Sequence, residues 1–107
     1  MLFTKFNINT TLCPQNNGDR QFVRIRVSSR SSRIDLYTGI SLTKKQWDVD
    51  RQRVKQGCLV GNTMYNILNS ALETQKQFIR DYFVECAYKD MRPSLSALRK
   101  KFNKKFK

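Results

Sequence analysis

The 107-residue chain contains no histidine. That absence removes imidazole general bases, histidine-ligated metals and histidine pH switches from consideration. Acidic residues are scarce, 8 against 21 Lys+Arg. They are scattered, and Asp48 and Asp50 lie in a basic loop, so no two-carboxylate site for hydrolysis is foreseen. Glycine is rare; Gly57 and Gly61 flank Cys-Leu-Val without the Lys-Ser/Thr that a phosphate-binding loop needs. The serine run from Ser28 to Ser32 has no histidine partner and reads as a turn, not as a nucleophile. Three widely spaced cysteines, Cys13, Cys58 and Cys86, fit neither a zinc site nor a disulfide framework, and read as the free thiols of a reducing compartment. No apolar run exceeds three residues, so no bilayer-spanning segment is foreseen. The first ten residues lack the apolar stretch of a secretion signal. These absences predict a cytoplasmic, non-catalytic chain with no cofactor, no metal, no membrane and no small-molecule substrate.

What is present is positive charge, and it is unevenly placed. Residues 1–47 carry 8 basic and 2 acidic groups, residues 48–92 carry 7 and 6, and residues 93–107 carry 6 and none. A solvated surface usually mixes both signs; two strongly basic ends around a neutral middle are the footprint of a polyanion partner. Seven Phe, four Tyr and one Trp supply enough apolar surface for one modest core.

The apolar spacing predicts an α+β fold. Phe3–Leu12 alternates, with Phe6, Ile8 and Leu12 opposite Lys5, Asn7, Asn9 and Thr11. Pro14 and Asn16-Asn17-Gly18-Asp19 supply a turn. Gln21–Ser28 alternates again, Val23, Ile25 and Val27 against Phe22, Arg24, Arg26 and Ser28, and Arg33–Ile40 follows after a polar turn. The three segments make an antiparallel sheet over about residues 3–41. Thr43 is expected to cap a single turn through Trp47, which plugs the sheet's edge, and a polar loop runs from Asp48 to Gly61. Asn62 is expected to cap one long C-terminal helix over about 62–88, its stripe running through Met64, Ile67, Leu68, Ala71, Leu72, Phe78, Ile79, Tyr82, Phe83 and Cys86. Helix on sheet buries both apolar faces. Residues 1–92 form the expected domain. Residues 93–107 form a short extra helix capped by Ser94, with Leu95, Leu98, Phe102 and Phe106 on one side and Lys100, Lys101, Lys104 and Lys105 on the other. This tail could rest on phosphate, lie on a membrane surface or begin a linker.

With the aliphatic parity facing the helix, the opposite face presents Lys5, Asn7, Asn9, Arg24, Arg26, Ser28, Arg33 and Tyr37, and Arg30 sits in the adjoining turn. A three-stranded sheet is about 10 Å wide, and the major groove of DNA about 12 Å. Arg can donate twice to guanine, Asn can pair with adenine, and hydroxyls and Lys serve phosphates. Phe22 shares the arginine parity and fits this face poorly. Two other partners suit a basic face: duplex RNA, read by shape, and an acidic protein.

The stretch Tyr37-Thr-Gly-Ile-Ser-Leu-Thr-Lys-Lys-Gln-Trp47-Asp48, followed by Arg51-Gln-Arg-Val54, resembles the arm-type DNA-binding domain at the N-terminus of tyrosine recombinases, the integrases of conjugative transposons and related mobile elements. The strand VRIRVSSRSSRIDLYTGI, the Asn62–Leu72 helix opening and Pro93-Ser-Leu-Ser-Ala-Leu98 extend the resemblance over nearly the whole chain. The resemblance implies a sheet that enters the major groove of arm sites, with Arg24, Arg26, Ser28, Arg33 and Tyr37 as base and phosphate readers. It implies a parent chain whose core-binding and catalytic domains would be partners. The catalytic domain of that family uses an Arg, a His-x-x-Arg and a nucleophilic Tyr; without histidine, this chain would be an N-terminal piece cut near the core-binding domain, and Tyr37, Tyr65, Tyr82 and Tyr88 are not nucleophiles.

Overall fold

A computed structural model of the chain describes residues 4–13 and 20–106. The expected turn at residues 14–19 and Phe3 lie outside the described residues. Three strands, β1 (Asn7–Leu12), β2 (Arg20–Ser29) and β3 (Ser32–Thr43), form an antiparallel sheet in the order β1-β2-β3. The architecture is α+β, as the alternation predicts. Val23, Ile25 and Val27 are all fully buried, and Leu36 and Leu42 of β3 join them on the same side.

The register holds one irregularity. Arg24 faces Tyr37 but Phe22 faces Ser41, so β3 carries two extra residues opposite Val23. An insertion of two preserves the side-chain parity, which is why Leu42 still points inward with Leu36. Gly39 takes the left-handed backbone this kink requires, φ +82°. The kink is pinned from both sides: the Thr38 hydroxyl donates to the Val23 carbonyl (2.8 Å), and Gln75 Nε2 donates to the Thr38 carbonyl (3.2 Å).

Beyond β3 the chain makes a short 3-10 turn, Lys44–Gln46, entered through Thr43, whose backbone N–H donates to Gln46 Oε1 (2.9 Å). The expected polar loop contains two small hairpins instead: β4 (Trp47–Asp48) with β5 (Arg53–Val54), and β6 (Leu59–Val60) with β7 (Thr63–Met64). The second hairpin displaces the expected cap. Asn62 sits in its turn beside Gly61 (φ +62°), and helix α1 runs Tyr65–Tyr88 with Met64 at the N-cap. Met64 and Ile67, expected in the buried stripe, are accordingly exposed. Helix α1 ends where the Met91 N–H returns to the Cys86 carbonyl (2.8 Å) around Asp90 at φ +53°.

Two apolar clusters fill the space between sheet and helices. One joins Ile25, Val27 and Leu36 to Ile79, Phe83 and Cys86 of α1 and to Leu98 and Phe102 of α2 (Leu95–Phe106). Phe6 adds a stacked ring on Phe83, centroids 4.1 Å apart. The other joins Val23 and Leu42 to Trp47, Val54 and Leu72. Asn69 ties the first small hairpin to α1, accepting from the Val54 N–H (2.8 Å) and donating to its carbonyl (3.1 Å).

Helix α2 is part of this core. Leu98 and Phe102 are wholly inaccessible, and Phe102 packs against Phe78 and Phe106. Its start is clasped by Tyr82, whose hydroxyl accepts from the Ser94 N–H (2.9 Å) and donates to the Ser94 carbonyl (3.0 Å); burial raises the Tyr82 pKa. The Ser94 hydroxyl accepts from the Ala97 N–H (3.2 Å), the cap the sequence predicts. Replacing Phe102 by Ala should cost about 3–5 kcal/mol in urea unfolding, the range for a fully buried aromatic.

Candidate nucleic-acid interface

Both helices pack on the aliphatic side, so the other parity faces away from them. Strand register arranges its side chains in three rows across the sheet: Asn7–Ser28–Arg33, Asn9–Arg26–Asp35 and Thr11–Arg24–Tyr37. Residues directly opposite on one face lie within side-chain reach. Seven of the nine expected contacts, Asn7, Asn9, Arg24, Arg26, Ser28, Arg33 and Tyr37, therefore share one surface. Lys5 is exposed just before β1, and its carbonyl accepts from the Ser29 hydroxyl (3.2 Å). Arg30 is exposed at the tip of the β2–β3 turn, in left-handed backbone at φ +57°.

The centre of the face is organised by Asp35, the one acid on it among the described residues. Arg26 Nε donates to Asp35 Oδ1 at 2.9 Å, and Arg26 Nη2 lies 3.5 Å from Oδ2. Arg24 Nη1 stands 3.7 Å from Asp35 Oδ2, while Arg24 Nε donates to the Thr11 hydroxyl at 3.2 Å. Both guanidinium groups are thereby laid along the sheet, with side chains only 18% and 27% exposed. The hydrogen bond from Arg26, aided by the fields of Arg26, Arg24 and Arg33, holds the Asp35 carboxyl below the usual carboxylate range, against the opposing effect of burial. The same bond raises Arg26.

A carboxylate that takes the Nε side of an arginine leaves the rest of the fork available. Guanidinium carries five donors in a rigid plane, so Arg26 retains donors on the side away from Asp35. Fixing the plane in advance lowers the ordering cost of a later bidentate contact.

The sequence places Asp35 and Thr11 on this face without showing what they bind, and it misses Gln52 altogether. Asp35 and Thr11 follow directly from the parity that locates Arg24 and Arg26, once cross-strand register is known. Gln52 does not. It comes from the β4–β5 turn in left-handed backbone (φ +55°), accepts the outward N–H of Thr10 through Oε1 (2.9 Å), and donates through Nε2 to Asn9 Oδ1 (3.3 Å). Gln52 thus closes one hydrogen-bonding position of the β1 edge and orients Asn9. Phe22, the misfit of the arginine parity, is 44% exposed beside the kink, opposite Ser41. Arg20 at the same end is bound to Ser41, donating to its hydroxyl (3.2 Å) and its carbonyl (2.8 Å).

The Asp35 ion pairs have a defined pH signature. A carboxyl whose pKa is lowered by folding stabilises the fold above its unfolded pKa, and that contribution disappears as pH falls through the lowered value. The contribution of Asp35 is complete above its ordinary 3.8, declines as pH falls from there, and is gone below the lowered folded-state value. Thermal unfolding of Asp35→Asn and the parent protein should therefore differ at neutral pH, with the parent more stable, and the difference should shrink steadily in acid.

Comparison of the chain with protein-family models, with curated proteins and with solved structures finds no match in any of the three.

Proposed function

We propose that this chain is a non-catalytic module that binds double-stranded DNA sequence-selectively, with the outer sheet face set into the major groove. The observation that carries this reading is the pair Arg24 and Arg26, on the face opposite both helices and pre-oriented by Thr11 and Asp35. Arg contacts to guanine O6 and N7 are the commonest specific readout in that groove, and the sheet's width of about 10 Å fits the opening of about 12 Å. Arg33, Arg30, Lys5, Ser28 and Tyr37 lie around this centre and serve phosphates or base edges; Asn7 and Asn9 line the β1 side.

The finer assignment is to the arm-binding N-terminal part of a tyrosine recombinase, acting in the cytoplasm. The duplex partner would be an arm-type site, with core-binding and catalytic domains on the same parent chain. Two DNA-binding modules on one chain gain avidity without new contacts. This assignment rests on the resemblance of the Tyr37–Val54 stretch. The DNA-binding reading stands on the face alone and does not require it. Three cysteines without disulfides suit a reducing compartment.

Selection of bound duplexes from a random pool supplies the target for a test. Arg24→Ala and Arg26→Ala should each weaken the selected duplex by about 1–3 kcal/mol and relax preference at one base pair. Asp35→Asn should move the two quantities oppositely: tighter binding to random duplex, because a charge that repels phosphate is gone, and a smaller ratio of selected to random affinity. Equal competition by duplex RNA would favour RNA recognition, and absence of retention on DNA at about 0.15 M salt would favour an acidic protein partner.

A further inference from the structure

Beside the outer face, the free edge of β3 and the flank of α2 enclose a cleft of about 470 Å³ that includes Arg33, Asp35, Tyr37, Arg99 and Asn103 in its walls. Its floor is backbone. The Thr10 N–H points away from β2 to reach Gln52, so Thr10 and its partner Ile25 do not exchange ladder bonds. Antiparallel alternation then turns the backbone groups of Ile25 toward Leu36 and those of Val27 toward Ile34. The intervening β3 residues, Arg33 and Asp35, present their N–H and C=O groups to the cleft. Its wall is α2, where Arg99 and Asn103, four residues apart, share one helical face.

The charge balance of this cleft favours an anion. Asp35 is already paired with Arg26 and Arg24. The side chains of Arg33 and Arg99 make no hydrogen bond or ion pair with any described residue, and Arg33 acts on Asp35 only through its field. The outward backbone groups and the Asn103 amide bring donors and acceptors in equal measure, so the two unspent guanidinium forks leave the cleft with an excess of donors and of positive charge. A guanidinium fork fits phosphate oxygens two at a time.

We propose that this cleft holds the sugar–phosphate backbone of one strand of the duplex, along the rim of the groove that the sheet face enters. The inference rests on the DNA-binding reading and deepens it, by assigning α2 a positioning contact that carries no sequence information. A peptide strand added to the β3 edge suits the cleft less well. It would lie about 4.8 Å from β3, in the space that Arg99 and Asn103 border, and would meet cations there instead of apolar pockets.

The test measures duplex affinity against salt for the parent protein, Arg99→Gln, Lys100→Gln and Arg26→Ala. The Arg99 side chain is exposed and bonded to no described residue, so Arg99→Gln should keep the parent's unfolding midpoint. It should make the slope of log K against log salt shallower by about 0.9, which is about threefold in affinity between about 50 and 200 mM, and do so equally on selected and random duplexes. Lys100→Gln removes the same charge from α2 outside the cleft and should leave the slope in place. The cleft assignment is overturned if Arg99→Gln leaves the slope unchanged, if Lys100→Gln lowers it as much, or if the loss is confined to the selected sequence. Loss of sequence preference in Arg26→Ala alongside an unchanged slope in Arg99→Gln would remove the cleft and keep the sheet-face reading. A parent protein that retains no duplex would remove both.

Discussion

The two-residue period of β2 constrains everything around it. Val23, Ile25 and Val27 are fully withdrawn from water beneath the helices, so the residues between them must face outward. A slip of one residue would bury two guanidinium groups and expose the aliphatic row, which the energetics of burying charge forbid. The kink at Gly39 obeys the same constraint. Inserting two residues in β3 bends the strand toward Trp47 without exchanging its faces, and the freed carbonyls of Val23 and Thr38 are both taken. The cationic surface is therefore a consequence of the core, and substitutions in the core that shift register would scramble it.

Around this constraint the molecule spends its few acids selectively. Asp48 turns the first small hairpin by accepting from the Arg51 N–H, Glu73 and Glu85 pair along α1 with Lys76, Arg80 and Lys89, and Asp35 organises the outer face. Glu73 and Glu85 are themselves exposed, so these helical pairs add little to stability. Asp35 differs because it lies within reach of two arginines and sets their planes. In the proposed complex it would also keep phosphates away from the centre of the face and leave that centre to base edges, while the flank of α2 receives the backbone.

Strand existence, parity and the α+β class were legible because alternation in β2 and β3 is strong and the long helix repeats at three and four. Its N-terminus was not. Asn62 is a favourable cap residue, but Gly61-Asn62 is also favourable turn chemistry, and pairing of Leu59 with Met64 decides between them. Gln75 was invisible as a core residue because a polar side chain within an apolar stripe reads as an interruption; it is buried to satisfy the kink at Thr38, which sequence periodicity does not reveal. Of the candidate interface, Arg24 and Arg26 were legible from parity alone. Gln52 and Arg99 reach it from 43 residues beyond Asn9 and from the second helix, and no local pattern signals such contacts. The residues that carry the recombinase resemblance, Gly39 and Trp47-Asp48, build the kink, the second core cluster and the first hairpin turn. These three hold the outer face in shape, while Tyr37 and the arginines of the same stretch line it.

The central claim concerns which surface meets the polyanion, and side-chain NMR addresses it most directly. The Nε–H signals of Arg24 and Arg26 report the outer face, and that of Arg80, on α1 beside Glu73, reports a surface away from it. On titration with a selected duplex, the account predicts that the Arg24 and Arg26 signals shift and saturate together while the Arg80 signal stays in place. Saturable binding with Arg24 and Arg26 unmoved, and shifts confined to the lysine-rich end of α2, would contradict it.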